Sequence, residues 1–82
     1  MTAKEWVVDW FVSKAGIARE TVEQKSAENY FANSWLDSFA FIGFLSEIEG
    51  HFDIAFDNDD FTDRSFSTID GLAEHITRKS AS

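Results

Sequence analysis

The sequence contains no cysteine, no proline, only four glycines and no long apolar run. Without Cys there is neither a disulfide framework nor a thiolate zinc site. Missing Pro and scarce Gly remove the residues that strand-and-turn folds use at their corners, which favours helices. No apolar stretch approaches the roughly 18 residues of a membrane span, so no membrane insertion is expected. Met1–Glu5 has neither the basic start nor the apolar stretch of a secretory signal, and a cytoplasmic location is expected. Basic residues are also missing from one long segment. Residues 26–63 hold nine acids and no Lys or Arg, while the flanking segments nearly balance. The net charge of −8 therefore lies in the middle of the chain. Such a surface repels nucleic acid and anionic membranes, which are bound through Lys and Arg. It suits basic protein partners, or it serves solubility alone.

What the chain has in quantity is apolar bulk. Hydrophobic residues make up 44% and aromatic ones 16%, with nine Phe and three Trp. A chain of 82 residues suits one domain, 1–82, and a domain of this size needs an apolar-rich core because it buries only about 60–65% of its unfolded surface. No repeat or low-complexity segment interrupts it.

Thr2-Ala3-Lys4-Glu5 has the form of a capping box, and Trp6, Val7, Trp10, Phe11 and Lys14 follow at helical spacing up to Gly16. A helix over about 3–15 is predicted. From Ile17 to Leu36 the pattern weakens into a long connection, with Val22, Tyr30, Phe31 and Trp35 as anchors. A second helix is predicted from Ser38 to about His51, with Phe41, Leu45, Ile48 and Phe52 as its core stripe. Asp57–Asp60 reads as a polar turn opening a short helix through Phe61. A last helix is predicted over about 67–78, capped by Ser67 with Asp70, with Ile69, Leu72, Ala73 and Ile76 on its apolar face. Arg78 and Lys79 would complement its dipole.

The candidate chemistry lies at Trp35-Leu36-Asp37-Ser38-Phe39. A serine behind an aspartate at the start of an amphipathic helix is well placed to hold a phosphate, because free N–H groups and the macrodipole favour an anion there. Either residue could equally be a plain helix N-cap.

The rest of the chain separates these readings. Asp37-Ser38, Ile48-Glu49, Phe52-Asp53-Ile54 and Ser67-Thr68-Ile69, with Val7, Trp10, Phe11 and Ala15-Gly16-Ile17 before them, resemble the acyl and peptidyl carrier proteins over nearly the whole length. The resemblance implies an all-α, four-helix bundle with a long loop after helix one and a short third helix. It also implies a non-catalytic carrier, with Ser38 as the attachment point of a 4′-phosphopantetheine arm derived from coenzyme A and Asp37 beside it. The implied partners are a phosphopantetheinyl transferase, an enzyme that loads an acyl or aminoacyl group as a thioester, and a downstream transferase; a monomer is expected.

The sequence departs from the fatty-acid-type motif at four positions. Trp35 stands where that motif has Gly, and Phe39 where it has Leu. Ala40 and Gly43 replace the acids two and five residues after the serine. These departures point away from housekeeping fatty-acid enzymes. The apolar pair before Asp-Ser is more similar to discrete carriers such as the D-alanyl carrier proteins. Phe39 and Ile42 form a candidate partner-docking spot rimmed by Glu47 and Glu49, matching a partner with a basic rim. The competing assignment for both apolar residues is the core.

Other sites fail on spacing. An EF-hand starting at Asp57 would place Phe61 at its fifth position, Thr62 at its sixth and Thr68 at its twelfth, where an oxygen ligand, Gly and Glu are required. The Asp57–Asp60 run is then a solvated helix cap. His51 and His75 have no partner at metal-ligand spacing, and no metal is assigned. His51 is read as a dipole partner at the end of helix two, too far from Ser38 for a catalytic pair. The alternative to a carrier is an unmodified acidic helical-bundle interaction module.

Overall fold

In the computed structural model, which describes residues 2–80, Thr2 opens the first helix. Its hydroxyl oxygen accepts the Glu5 N–H at 3.1 Å, and α1 runs over Ala3–Lys14. Beyond it Gly16 turns through the left-handed region at φ +71°, and the Ile17 N–H reaches back to the Phe11 carbonyl at 3.4 Å. Val7, Val8 and Phe11 enter the core, with Trp6 and Trp10 half-buried at its edge.

Residues 17–36 are more regular than the sequence suggests. Arg19–Gln24 form a six-residue helix, α2, that buries only Val22. Its N-cap, Ala18, offers no side-chain acceptor, so neither a cap nor an apolar period marks it in the sequence. Arg19 ties it to α1 through an ion pair with Asp9. Farther on, Asn29 Oδ1 accepts the N–H groups of Phe31 (2.8 Å) and Ala32 (3.1 Å). The Tyr30 N–H donates to the Ser67 carbonyl and the Trp35 N–H to the Tyr30 carbonyl, each at 3.0 Å. Asn29 and Thr68 form an isolated antiparallel bridge.

The third helix, α3, spans Ser38–Phe52. Its core stripe faces inward as expected, but its centre is the fully buried pair Phe44 and Ile48. The backbone of α1 approaches those of α2 and α5 (Ile69–Ser80) closely. Rings bridge α3 to the rest. Phe44 meets Trp10 at 4.2 Å and Phe11 at 5.5 Å between centroids, and Phe41 meets Phe31 at 5.0 Å and Phe66 at 6.2 Å. Each such pair adds about 0.5–1.5 kcal/mol beyond area burial. Tyr30 sits fully buried among these rings and donates its hydroxyl to the Phe66 carbonyl at 2.8 Å. Burial pushes that phenol above its ordinary range.

A capping box between Asp57 and Asp60 opens the short helix α4, Asn58–Thr62, and a 3-10 turn follows over Arg64–Ser67. The cap of α5 differs from expectation. Ser67 belongs to the 3-10 turn, and Asp70 is held by Ser26 Oγ at 3.1 Å and Lys4 at 2.9 Å. Thr68 caps instead: its Oγ1 accepts the Gly71 N–H at 3.0 Å and donates to the Ser65 carbonyl at 2.8 Å. Ile69, Leu72, Ala73 and Ile76 form the buried face. The all-α class holds, with five α-helices and one 3-10 turn among the described residues, where four helices were expected.

Candidate functional site

The first turn of α3 is built by Asp37. Its backbone is extended (φ −101°, ψ 173°), and its Oδ1 accepts the Ala40 N–H at 2.7 Å while its carbonyl accepts the Phe41 N–H at 2.9 Å. Asp37 is therefore the N-cap, and its carboxylate is committed to the backbone. Ser38 is the first helical residue, exposed, and its hydroxyl has no partner among the described residues. The N–H groups of the first two helical residues have no intrahelical acceptor, and no further acid follows Asp37 in the first turn. The positive end of a fifteen-residue helix thus surrounds an accessible nucleophilic oxygen. An anion attached at that oxygen would meet favourable dipoles and no competing hydrogen bond.

Beside Ser38 lies an open groove of about 470 Å³ lined by Phe31, Ser34, Trp35, Leu36, Asp37, Ser38 and Ala40. Two large apolar side chains of α3 point outward just beyond it. Phe39 is 89% exposed and Ile42 is 68% exposed. Neither completes the core. At about 100° per residue, they share the solvent face of α3 with Gly43 and Ser46.

The two glutamates assigned to the rim of this face have intramolecular partners. Glu47 Oε2 accepts Trp10 Nε1–H at 2.8 Å, pinning α3 to α1. Glu49 is half-buried, and its Oε2 accepts the Phe56 N–H at 2.9 Å, holding the chain as it leaves the helix.

A second polar cluster is not evident from the local sequence. The Asp57–Asp60 run is a cap, but it is not simply solvated: Asp60 is buried. Asp60 Oδ1 lies 2.7 Å from His75 Nδ1, and its Oδ2 lies 2.8 Å from Lys79 Nζ. His75 Nε2 faces Asp63 Oδ2 at 2.9 Å. Burial pushes the Asp60 carboxyl up, but hydrogen bonds from Lys79, the Asp57 N–H and His75 outweigh it and bring it to about 2. Asp63 is also lowered, first by the Ser65 N–H and hydroxyl and then by His75. The cluster fastens α4 and the 3-10 turn to α5. The signal for it was His75 itself, which lies between Leu72 and Ile76 on the buried face of α5. No group of three or more acidic or His side chains among the described residues could hold a metal ion. His51, in the last turn of α3, stacks on Trp6 with centroids 5.2 Å apart. Both histidines are thus engaged away from Ser38.

No helix among the described residues is long and apolar enough to cross a membrane. Comparison with curated proteins and with solved structures returns no match. Residues 5–76 match a family model described as the phosphopantetheine attachment site.

Proposed function

We propose, because this chain belongs to the phosphopantetheine attachment family, that it carries its arm on Ser38. Membership makes the chain a carrier of covalently bound 4′-phosphopantetheine. The observation that supports Ser38 is the combination at the start of α3: an exposed, unpartnered hydroxyl on a helix N-terminus whose aspartate is already used as the cap. Residues 1–82 are read as one carrier domain, of which Met1, Ala81 and Ser82 lie outside the described residues.

Attachment requires the Ser38 oxygen to form a bond to the phosphorus that bears the pantetheine in coenzyme A. The adenosine bisphosphate portion leaves, and the hydroxyl proton passes to a base on the transferase. Ser38 has no hydrogen-bonded base of its own, which fits a substrate of that transferase better than a catalyst. The N–H groups of Ser38 and Phe39 would stabilise the phosphodiester. Asp37, bound to Ala40, holds that turn in place and keeps its charge directed at the backbone. When bound, the arm supplies a thiol that carries an acyl or aminoacyl group as a thioester. The chain's own part is presentation, since tethering raises the local concentration of cargo at whichever enzyme docks.

The partners are a phosphopantetheinyl transferase, a loading enzyme and a downstream transferase of a specialised biosynthetic route. Phe39 and Ile42, exposed beside Ser38, form the apolar centre of their docking surface. Glu47 and Glu49 lie farther along the helix, and each keeps a second carboxylate oxygen for a basic rim, Glu47 being the more exposed. The absence of acid at Ala40 and Gly43 argues for partners other than those selecting a charged helix. An intracellular, cytoplasmic setting supplies the coenzyme A this chemistry needs.

The test is intact mass after incubation with coenzyme A and a promiscuous phosphopantetheinyl transferase, beside a Ser38→Ala control. A gain of one phosphopantetheine on the parent protein alone is expected. No gain on folded parent protein, with the transferase of its own source as well, would overturn the assignment and favour the unmodified interaction module.

A further inference from the structure

His75 lies on the buried face of α5, and both of its ring nitrogens stand against carboxylate oxygens. Nδ1 is 2.7 Å from Asp60 Oδ1 on α4. Nε2 is 2.9 Å from Asp63 Oδ2, at the corner where α4 gives way to the 3-10 turn. A carboxylate can only accept, so each contact needs an N–H from the ring. An imidazolium has two such groups and a neutral imidazole has one. The arrangement is complete with a proton on each nitrogen and one bond short when the ring is neutral.

The surroundings decide which bond goes. Phe66 from the 3-10 turn meets the ring edge-on, with centroids 5.3 Å apart. Asp57, Asp59, Arg78 and Lys79 also line the recess of about 430 Å³ beside it. Lys79 Nζ lies 2.8 Å from Asp60 Oδ2 and 3.4 Å from Asp57 Oδ2. The Asp60 and Asp63 carboxyls both titrate below their ordinary range, so they stay charged where an imidazole changes charge. The Asp60 side chain is 8% exposed and that of Asp63 42%. Water can replace the ring at Asp63 but not at Asp60 Oδ1, and a buried acceptor left unpaired costs the full desolvation penalty. A single remaining N–H therefore belongs on Asp60.

We propose that His75 is a proton-operated latch on the corner between α4 and the 3-10 turn. Protonated, it holds Asp60 and Asp63 together and pins the corner to α5. As pH rises through the titration of the ring, the Nε2 proton leaves to water, the Nδ1–H stays on Asp60, and Asp63 is released. Asp63 also starts the 3-10 turn: its Oδ1 accepts the Ser65 N–H and its carbonyl the Phe66 N–H, each at 3.0 Å. Its release loosens the first residues of that turn while Lys79 continues to hold α4. Phe61, 49% exposed and edge-on to Phe66 at 5.4 Å, sits on this corner. The seat of that exposed ring thus becomes proton-dependent. The latch does not depend on the assignment of Ser38.

The experiment is NMR on the full chain from about pH 5 to about pH 9. It reads the His75 ring nitrogens, the Asp63 carboxyl carbon and the hydrogen exchange of the Ser65 and Phe66 amides. As the ring loses its proton, the Asp63 carbon should shift with the same midpoint. Protection factors of the two amides should fall by about tenfold, and the neutral ring should carry its proton on Nδ1. Asp63→Asn gives a second readout, because the side chain is partly exposed and its oxygen can still accept the Ser65 N–H. The amide nitrogen of that variant can donate to the bare Nε2 of a neutral ring and opposes a protonated one. The turn should then be better protected above the midpoint than below it, the reverse of the parent. A ring that titrates while both amides keep their protection overturns the latch. So does a neutral ring protonated on Nε2, or a ring that keeps one protonation state across the range. An Asp63→Asn protein with the parent's pH dependence overturns it as well.

Discussion

Replacing Gly71 by alanine should destabilise this protein, although the same change elsewhere in its helices should stabilise it. Gly71 is the third residue of α5, where Ala is ordinarily preferred by about 1 kcal/mol. A Cβ there would overlap the Ser65 carbonyl and come within 2.6 Å of the Ser65 Cβ. The carbonyl cannot retreat freely, because it accepts both the Thr68 hydroxyl at 2.8 Å and the Thr68 N–H at 3.0 Å. The 3-10 turn and α5 must separate, disturbing the Thr68 cap and the seat of Phe66. Overpacking of this kind costs about 1–3 kcal/mol or more, and loss of the cap adds about 1 kcal/mol. A net loss of about 1–3 kcal/mol remains after the propensity gain. Gly43 and Gly50 provide the control. Both are exposed in α3, and an added Cβ meets nothing within 4 Å. Gly43→Ala and Gly50→Ala should each gain about 0.5–1 kcal/mol. Urea unfolding followed by far-UV circular dichroism measures all three. At about 4–8 °C per kcal/mol for a domain of this size, Gly71→Ala should lower Tm by roughly 5–20 °C. A Gly71→Ala protein as stable as the parent would refute the close approach of α5 to the 3-10 turn.

The Asp60 cluster should make stability depend on acid. The folded carboxyl titrates at about 2 against an ordinary 3.8, so its contribution of about 2 kcal/mol is present above pH 4 and disappears as pH falls through about 2. Asp60→Asn should cost about that much at pH 7, and the gap to the parent should close near pH 2; equal stability at pH 7 would refute the clasp. Phe39→Ala and Ile42→Ala should leave Tm unchanged, since neither ring nor chain is buried. Each should lower kcat/KM for attachment at Ser38 by about tenfold if its side chain is a central docking contact. Unchanged kcat/KM in both would remove the docking role.

Several elements of this fold follow from local sequence. Thr2 and Glu5 start α1, Asp37 starts α3, and the Asp57/Asp60 pair starts α4, because a cap needs only an acceptor two or three residues from a free N–H. The stripe from Phe41 to Phe52 and the face from Ile69 to Ile76 orient α3 and α5, because helical period and burial act within one helix. The candidate attachment residue stands one step past a capping acid, which by itself marks only a helix start; the spacing of motifs over the rest of the chain singled out Ser38.

The rest depended on contacts distant in sequence. Nothing local distinguishes α2, whose six residues bury one valine and are held by Asp9 from the neighbouring helix. The α5 cap passed from Ser67 to Thr68 because the Tyr30 N–H takes the Ser67 carbonyl from another part of the chain. Asp60 appeared solvated until α5 brought His75 and Lys79 against it. Phe39 and Phe44 are the same residue type on one helix, yet one is bare and the other fully buried. Their positions around α3 separate them, and the aromatic surfaces of α1 and the long loop decide which side becomes the interior. By itself the sequence determined which residues could cap and which could form helix faces, and it named Ser38 as the candidate for attachment. Tertiary structure decided which acids are buried, which apolar side chains remain for a partner and what lies beside Ser38, because burial and pairing depend on every segment that folds against a residue.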